Sequence, residues 1–324
     1  MLDLGKLQNI LLILSTFYQG ISSIIEDRKS PPGKRINVGN CSLHLYSVGE
    51  GKPTIVIDHS LGGVEGYLLV NKLAHFGRVC IYDRAGYGWS DCSPDSRTSA
   101  HIVNELETLL TRAQIEPPYI LIGDSFGSYN MRLYAHRFPE KVVGLVLTDG
   151  LHEDGMLNMP ASLRILKLIF ISGFWMSVLG SILGIIRLLK NGKAFEFLKP
   201  ELREFHQSEL ASIKRSFCRP KHWWTMSREL WSLDASGHQV KTAKQLENLP
   251  IINIKANSFF KPSFLTRLTP LQSANRLRDR MHESLMGLSS ETRQIDANKS
   301  GHFVWVDQPE LIEEAVKLIL EKIG

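Results

Sequence analysis

The sequence predicts an α/β protein built on a mostly parallel β-sheet with helices on both faces. Short apolar runs bounded by turns alternate with stretches of helical spacing, which is the pattern of strand–helix–strand units. The apolar runs are continuous rather than alternating, as is typical of strands buried on both faces. This rhythm stops near residue 151 and resumes near residue 250, which indicates an insertion. At 324 residues, 43% of them hydrophobic, the chain is long enough for one such domain.

Residues 1–33 precede the predicted sheet domain. An apolar run at residues 10–14 is diluted by polar residues such as Gln8 and Gln19. Residues 1–25 are therefore marginal for a spanning helix, which needs about 20 mainly apolar residues. They also lack the basic start and the clear cleavage site of a signal peptide. Two interpretations stay open: a membrane anchor or interfacial helix, and a helix packed on the protein's own body. Residues 30–33 then form a linker.

Residues 34–150 form the first part of the predicted sheet domain. An alternating strand around residues 43–48 is expected at the sheet edge. Continuous apolar strands follow it, with one helix at residues 98–113 and another after residues 123–127 through about residue 137. Active sites of such sheets lie at the carboxyl ends of the strands, so polar residues there are candidates for function. These apolar strands span residues 54–58, 78–82, 119–122 and 142–148, and the polar residues after them are His59, Asp83, Ser125 and Asp149.

Residues 151–247 contain helical and irregular stretches without a convincing strand, and we interpret them as a helical cap. Its stretch at residues 165–189 is apolar enough to span a membrane. A single crossing would, however, separate the two halves of the sheet domain. Gly173, Gly180 and Gly184 favour two short helices instead. These would cover an apolar pocket, lie in a membrane surface, or form a plain cap core.

Residues 248–324 resume the sheet domain. They predict strands at residues 250–255 and 292–296 and a helix at residues 270–286. The loop at residues 298–303 follows the last strand. A final amphipathic helix is expected at residues 309–322, where Pro309 is well placed in the first turn.

Residues 123–127 carry the clearest chemical motif. They read Gly-Asp-Ser-Phe-Gly between a predicted strand and a predicted helix, which is the context that gives G-x-S-x-G its meaning. Gly123 and Gly127 would let strand and helix approach closely, and strain would expose the hydroxyl of Ser125. A merely tight strand–helix turn is the alternative. A nucleophilic serine needs a base, and His302 has the best context: it follows the last strand and a glycine.

Four motifs together resemble the α/β-hydrolase superfamily over roughly residues 34–324. They are Asp-His-Ser-Leu-Gly-Gly at 58–63, the glycine-dense turn at 83–91, Gly-Asp-Ser-Phe-Gly at 123–127, and Ser-Gly-His-Phe at 300–303. The turn at 83–91 is interpreted as mainly structural, because Asp83 and Ser90 can bond its backbone.

The resemblance implies an eight-stranded α/β-hydrolase sheet with helices on both faces and a cap between its sixth and seventh strands. It implies Ser125 as the nucleophile, His302 as the base, and an oxyanion hole made by the backbone N–H groups of Leu61 and Phe126. His59 would shape that loop. Dehalogenases and epoxide hydrolases of the family use an aspartate nucleophile, so Ser125 points to acyl transfer on esters, thioesters or amides.

The acid of the triad departs from the family pattern. The family usually places it after the seventh strand, but the loop at 255–260 holds no carboxylate. The familiar alternative lies after the sixth strand, where Asp149 stands, and we expect Asp149 to be the acid. Other possibilities stay open: Asp149 ties only the turn while Asn257 or Ser258 orients His302, or Asp296 or another carboxylate serves.

The expected function is a serine hydrolase that cleaves a lipophilic acyl ester through an acyl-enzyme at Ser125. A carboxylic-ester hydrolase is the favoured class. The alternative is a non-catalytic binding protein or membrane-associated receptor on the same fold. A peptidase is less favoured, because the sequence offers no obvious acidic anchor for a substrate amine.

Composition restricts the partners. The net charge of +5 is spread along the chain without a nucleic-acid-binding motif, so no nucleic acid is expected. The sequence shows no metal cluster, phosphate loop or dinucleotide fingerprint, so we predict no cofactor. Four cysteines without a CxxC pair favour reduced thiols in a cytosol-facing protein. We expect a cytoplasmic or membrane-associated location, with membrane contact through residues 1–25 and 165–189.

Overall fold

One eight-stranded sheet runs through the protein. The computed structural model describes residues 4–63, 66–191, 195–196, 202–203, 205, 207–243, 246–259 and 270–324. Strand order is β1-β2-β4-β3-β5-β6-β7-β8. β1 and β2 are antiparallel to their neighbours, and every other pairing is parallel. The predicted mostly parallel sheet is therefore confirmed. The strands are β1 (Lys34–Asn37), β2 (Ser42–Val48), β3 (Thr54–Asp58), β4 (Val79–Asp83), β5 (Tyr119–Asp124), β6 (Val142–Thr148), β7 (Ile251–Ala256) and β8 (Thr292–Ala297).

The edge of the sheet differs from the sequence prediction. The strand expected at the edge is β2, and β1 lies outside it. β1 has four residues, Lys-Arg-Ile-Asn, of which none is fully buried. A strand this short and polar gives no hydrophobic pattern, which is why the sequence does not reveal it.

Helices pack on both faces of the sheet, as predicted. In β3, Ile55 and Ile57 join the apolar cluster on one face, whereas Val56 joins the cluster on the other. This two-sided burial explains the continuous apolar strands. The described helices are α1 (Leu4–Asp27), α2 (Tyr67–Leu73), α3 (Ser99–Arg112), α4 (Phe126–Arg137), α5 (Glu153–Leu157), α6 (Ala161–Ile182), α7 (Ile185–Asn191), α8 (Gln207–Phe217), α9 (Pro220–Trp231), α10 (Leu233–Val240), α11 (Leu271–Leu285), α12 (Val304–Asp307) and α13 (Glu310–Ile323).

Six of these helices, α5 to α10, lie between β6 and β7. The predicted breaks at Gly173 and Gly180 were wrong, because α6 continues through both. A glycine inside a helix costs only about 1 kcal/mol relative to alanine, which packing readily offsets. The break falls at Gly184 instead, whose φ of +79° is the left-handed conformation that ends helices.

α1 contacts the inserted helices rather than the sheet. The Ser15 hydroxyl donates to the carbonyl oxygen of Leu183 at 2.5 Å, and the Gln19 side chain donates to that of Cys218 at 2.8 Å. α1 is therefore attached to the segment inserted between β6 and β7.

Candidate active site

Ser125 stands in a strained turn between β5 and α4. Its φ of 48° and ψ of −112° are rarely adopted by residues other than glycine, and its N–H donates to the Thr148 carbonyl at 3.0 Å. A Cβ on Gly123 would lie 2.7 Å from the Gly127 carbonyl oxygen, and one on Gly127 would lie 2.5 Å from that of Asp58. The two glycines therefore permit the close approach of strand and helix that the sequence motif suggested.

Asp149 and His302 lie in direct contact. Asp149 follows β6, the parallel neighbour of β5, so it stands beside Ser125 at the carboxyl ends of the strands. The Nδ1 atom of His302 donates to Oδ2 of Asp149 at 2.6 Å. Although burial disfavours the imidazolium form of His302, the hydrogen bond and charge of Asp149 outweigh it and raise the pKa of His302. The contact fixes Nε2 of His302 as the ring nitrogen available for chemistry.

A second histidine holds the other oxygen of the same carboxylate. Nε2 of His282, in α11, lies 3.0 Å from Oδ1 of Asp149, and its Nδ1 lies 2.9 Å from the side-chain oxygen of Asn253. The N–H of Ala256 donates to the same Oδ1 at 3.3 Å. Burial opposes ionisation of Asp149, but the hydrogen bonds from His282 and His302 outweigh it and hold its pKa below the usual range. The carboxylate is thus ionised and held from both sides.

The sequence analysis missed His282. Its only sequence signal is a polar residue on the apolar face of an amphipathic helix, between the buried Met281 and Leu285. Such a histidine is more often an ordinary core residue than part of a site. Its role becomes visible only when the fold brings α11 beside the end of β6.

Two other residues that were considered as partners of His302, Asp296 and Asn257, make different contacts. Asp296 is exposed on β8 and accepts a hydrogen bond from the side chain of Gln294 at 2.8 Å. Asn257 bonds through its backbone, to Ser300 and to the guanidinium of Arg278. The structure therefore brings Asp149, and not Asp296, to the ring of His302. Among the residues that the structure describes, no three His, Cys, Asp or Glu side chains lie close enough to hold a metal ion.

Leu61 and Phe126 follow two adjacent parallel strands, β3 and β5. Gly63 donates to the Ser60 carbonyl at 3.1 Å, and Gly62 has a φ of +64°, so residues 60–63 resemble a type II turn with Leu61 at its second position. Phe126 is the first residue of α4, where a helix cannot satisfy its own N–H groups. Both N–H groups therefore belong to turns at the same edge of the sheet as Ser125.

Arg84 fixes the loop that contains Leu61, and sequence reasoning missed this role. Its guanidinium, 1% exposed, donates to the carbonyl oxygens of His59 at 2.7 Å and Ser60 at 2.8 Å. It also pairs with Asp58 at 2.6 Å and with Glu229, in α9, at 2.9 Å. A buried guanidinium thus joins an inserted helix to the residues just before Leu61.

Hydrogen bonds between side chains and backbone hold the rest of the 83–91 turn. The carboxylate of Asp83 accepts the N–H of Trp89 at 2.9 Å, and the Ser90 hydroxyl donates to the Asp83 carbonyl at 2.5 Å. α9 packs closely on the neighbouring turns: a Cβ on Gly62 would lie 2.7 Å from the methyl carbon of Met226. The inserted segment therefore touches the loops around the candidate site.

A family model and similar solved structures agree on one fold. The family model for the α/β-hydrolase fold matches residues 53–176. The uncharacterized protein YqjL of Bacillus subtilis is 24% identical over 287 residues, which cover 87% of this chain and 90% of that protein. Three further curated relatives are matched over only 36% to 40% of their own length.

Two solved structures illustrate the likeness in three dimensions. The epoxide hydrolase CorEH superposes with a TM-score of 0.64 and 15% identity, covering 90% of this chain and 99% of that one. An esterase from Exiguobacterium antarcticum superposes with a TM-score of 0.63 and 14% identity, covering 89% and 99%. Similarity at this level of identity establishes the fold. Together with the sheet order and the family-model match, it shows that the chain has the α/β-hydrolase fold.

Proposed function

We propose that the protein is a serine hydrolase that cleaves a carboxylic ester with a lipophilic acyl group. The observation that carries this proposal is the strained Ser125 turn at the end of β5, next to an Asp149–His302 pair joined at 2.6 Å. A purely structural turn would need neither the strain at a serine nor a histidine fixed by a buried carboxylate.

The proposed reaction proceeds through an acyl-enzyme. Nε2 of His302 takes the proton of the Ser125 hydroxyl as its Oγ attacks the ester carbonyl carbon. The N–H groups of Leu61 and Phe126 stabilise the oxyanion that forms. His302 then gives its proton to the departing alkoxide, which leaves as the alcohol.

Hydrolysis of the acyl-enzyme completes the cycle. His302 takes a proton from water as the water oxygen attacks the acyl carbon, and it returns that proton to Ser125 when the acid leaves. Asp149 keeps the Nδ1 proton in place and stabilises the imidazolium in both steps.

The lipophilic substrate class is supported by the surface of the inserted segment. Residues 165–189 include many large apolar side chains that face outward, and residues 7–25 do the same. We therefore include in the proposal that the protein meets its substrate at a membrane surface, through these two segments. The fold likeness to an esterase agrees with this chemistry.

A fluorophosphonate probe tests the nucleophile. Wild type should be labelled, and Ser125→Ala should lose labelling together with at least about three orders of magnitude in kcat. Ser290→Ala, at an exposed serine, is the matched control and should retain both. Full labelling of Ser125→Ala would overturn the assignment.

A series of nitrophenyl esters should favour medium or long acyl chains, and an acetyl-only profile would contradict the lipophilic class. Ligand binding without turnover by wild type would favour a non-catalytic binding protein.

A further inference from the structure

α1 and α6 expose apolar side chains to an extent unusual for helices in water. Eleven large apolar side chains of α1 are 39% to 67% exposed, and eight of α6 are 41% to 72% exposed. We call these exposed side chains of α1 and α6 the apolar platform. Contiguous apolar surfaces of this kind mark interaction sites on soluble proteins.

The polarity of α1 is reversed relative to a normal surface helix. Its stripe against the protein body is polar and includes Ser15, Gln19, Ser23 and Glu26. Arg187, itself 2% exposed, donates to the Gln19 side chain at 2.5 Å and to Glu26 at 2.6 Å. An amphipathic helix in water buries its apolar stripe instead. The arrangement of α1 suits an apolar medium outside the protein.

The charges along these helices are mostly basic. Between residues 4 and 25 the only charged residue is Lys6, and residues 161–190 carry four basic residues and no carboxylate. Glu26 and Asp27, at the end of α1, pair with Arg187, Arg215 and Arg219. Lys6 and Arg164 are exposed, so a second copy of this face would bring like charges together, whereas anionic lipid headgroups would complement them.

α6 is long and apolar enough to cross a membrane, and only 17% of its most apolar window is buried. Contacts along its length nevertheless hold it on α9 and α10. Trp175 packs edge-on against Trp224 with ring centroids 4.7 Å apart, and Lys167 bonds Asp234 at 2.9 Å. A helix bound in this way lies in the plane of an interface. Trp231, 71% exposed, adds a side chain that membrane interfaces favour.

We propose that the apolar platform seats the protein on an anionic phospholipid bilayer, with α1 and α6 lying in the membrane surface. This inference rests on the membrane contact proposed above and specifies its lipid, its residues and its geometry. It does not depend on whether Ser125 reacts with an ester.

Co-sedimentation of the full-length protein with vesicles tests the inference. Phosphatidylcholine vesicles containing about one third phosphatidylglycerol should bind at least tenfold more tightly than pure phosphatidylcholine, and high salt should reduce the difference. Phe17→Asp and Met176→Asp, one in each helix, should each weaken binding at least tenfold. Ile323→Asp, at an exposed apolar residue of α13, is the matched control and should bind as wild type does.

A second measurement uses the wild-type protein alone. Lipids brominated near the headgroup should quench tryptophan fluorescence more strongly than lipids brominated at the chain end.

Equal binding to vesicles with and without phosphatidylglycerol would overturn the proposed lipid charge. Absence of binding, with a dimer in sedimentation velocity that Phe17→Asp dissociates, would overturn the inference in favour of a second copy. Vesicle binding that persists in a protein without hydrolase activity would leave this inference intact and reject the proposed function.

Discussion

Asp149 joins His302 and His282 in the candidate site. One oxygen accepts from His302, and the other accepts from His282 and from the Ala256 N–H. The residue also has a positive φ of 39°, so the turn after β6 is strained where the carboxylate is presented. At the scale of single residues, the site thus has one acid shared by two histidines.

The raised pKa of His302 sets the expected pH dependence of activity. If His302 is the base, as proposed, it acts only when neutral, so kcat/KM should fall as the pH drops through a pKa above the ordinary histidine value of about 6.5. Asp149→Asn removes the anion that stabilises the imidazolium, so the acid limb should move to lower pH and kcat should fall about 10³- to 10⁴-fold. A pH–rate profile of both proteins measures this. An unchanged acid limb in Asp149→Asn would contradict the role of Asp149.

His282 should matter through Asp149 rather than by touching substrate. His282→Ala removes a hydrogen bond from the buried carboxylate, which should lower kcat about tenfold and cost about 2–4 kcal/mol of unfolding free energy. The pKa of the acid limb should rise. Asp149 keeps its charge but loses one hydrogen-bond donor, so it stabilises the imidazolium of His302 more strongly. His282→Gln keeps a donor and should restore much of the rate. Rates and pH limbs equal to wild type in His282→Ala would show that the residue only fills the core.

The residues of the site differ in how far the sequence reveals them. Ser125 and the loop of His302 are marked by local patterns of a few residues, so both could be proposed before the fold was known. His282 and Asp149 are 133 residues apart, and Arg84 and Glu229 are 145 apart. No local pattern encodes such pairs, because they depend on how separate elements pack.

Among the contacts between elements, a buried ion pair joins α9 to the loop after β3. Glu229 in α9 bonds Arg84, and Arg84 bonds the carbonyl groups that precede Leu61. Asp58, the last residue of β3, also bonds the side chain of Asn130 in α4 at 2.7 Å. An inserted helix, a sheet loop and the helix after Ser125 therefore share one buried polar network.

Glu229→Gln should uncouple that network while preserving side-chain shape. The loss of one buried charge beside Arg84 should cost about 1–3 kcal/mol of unfolding free energy. If the network orients the N–H of Leu61, kcat should fall about tenfold or more with little change in KM, since an oxyanion donor acts mainly in the transition state.

Asp234→Asn is the matched control, because it breaks the ion pair to Lys167 in which Asp234 is largely exposed. It should change stability by less than about 0.5 kcal/mol. Thermal melts and steady-state kinetics measure both variants. A Glu229→Gln variant with lower stability but unaltered kcat would limit the network to a role in folding.

Secondary structure was predictable where the hydrophobic period was strong. The buried strands β3 to β6 and the helices α3 and α13 correspond closely to the sequence prediction. β1 was missed because four mostly polar residues give no period. Breaks at Gly173 and Gly180 were predicted wrongly, because glycine permits a turn without requiring one. Of the three glycines Gly173, Gly180 and Gly184, only Gly184 adopts a positive φ.

Across the whole molecule, apolar side chains are arranged in two different ways. The sheet and its flanking helices form a core of the usual kind, with apolar side chains inward. The apolar platform turns apolar side chains outward. Sequence hydropathy identifies both as apolar but cannot tell inward from outward, because that depends on which stripe of each helix meets the body. The overall fold was therefore predictable, whereas the orientation of α1 was not.

The polar attachment of α1 has a consequence for how the protein depends on its surroundings. Hydrogen bonds and ion pairs such as those of Arg187 with Gln19 and Glu26 strengthen when water is excluded around them. Covering by lipid would therefore tighten the seam between α1 and the inserted helices, and extraction into plain buffer would loosen it. The bilayer would then complete the tertiary structure as well as recruit the protein, so that the proposed activity, measured without lipid, would describe a form in which α1 is partly detached.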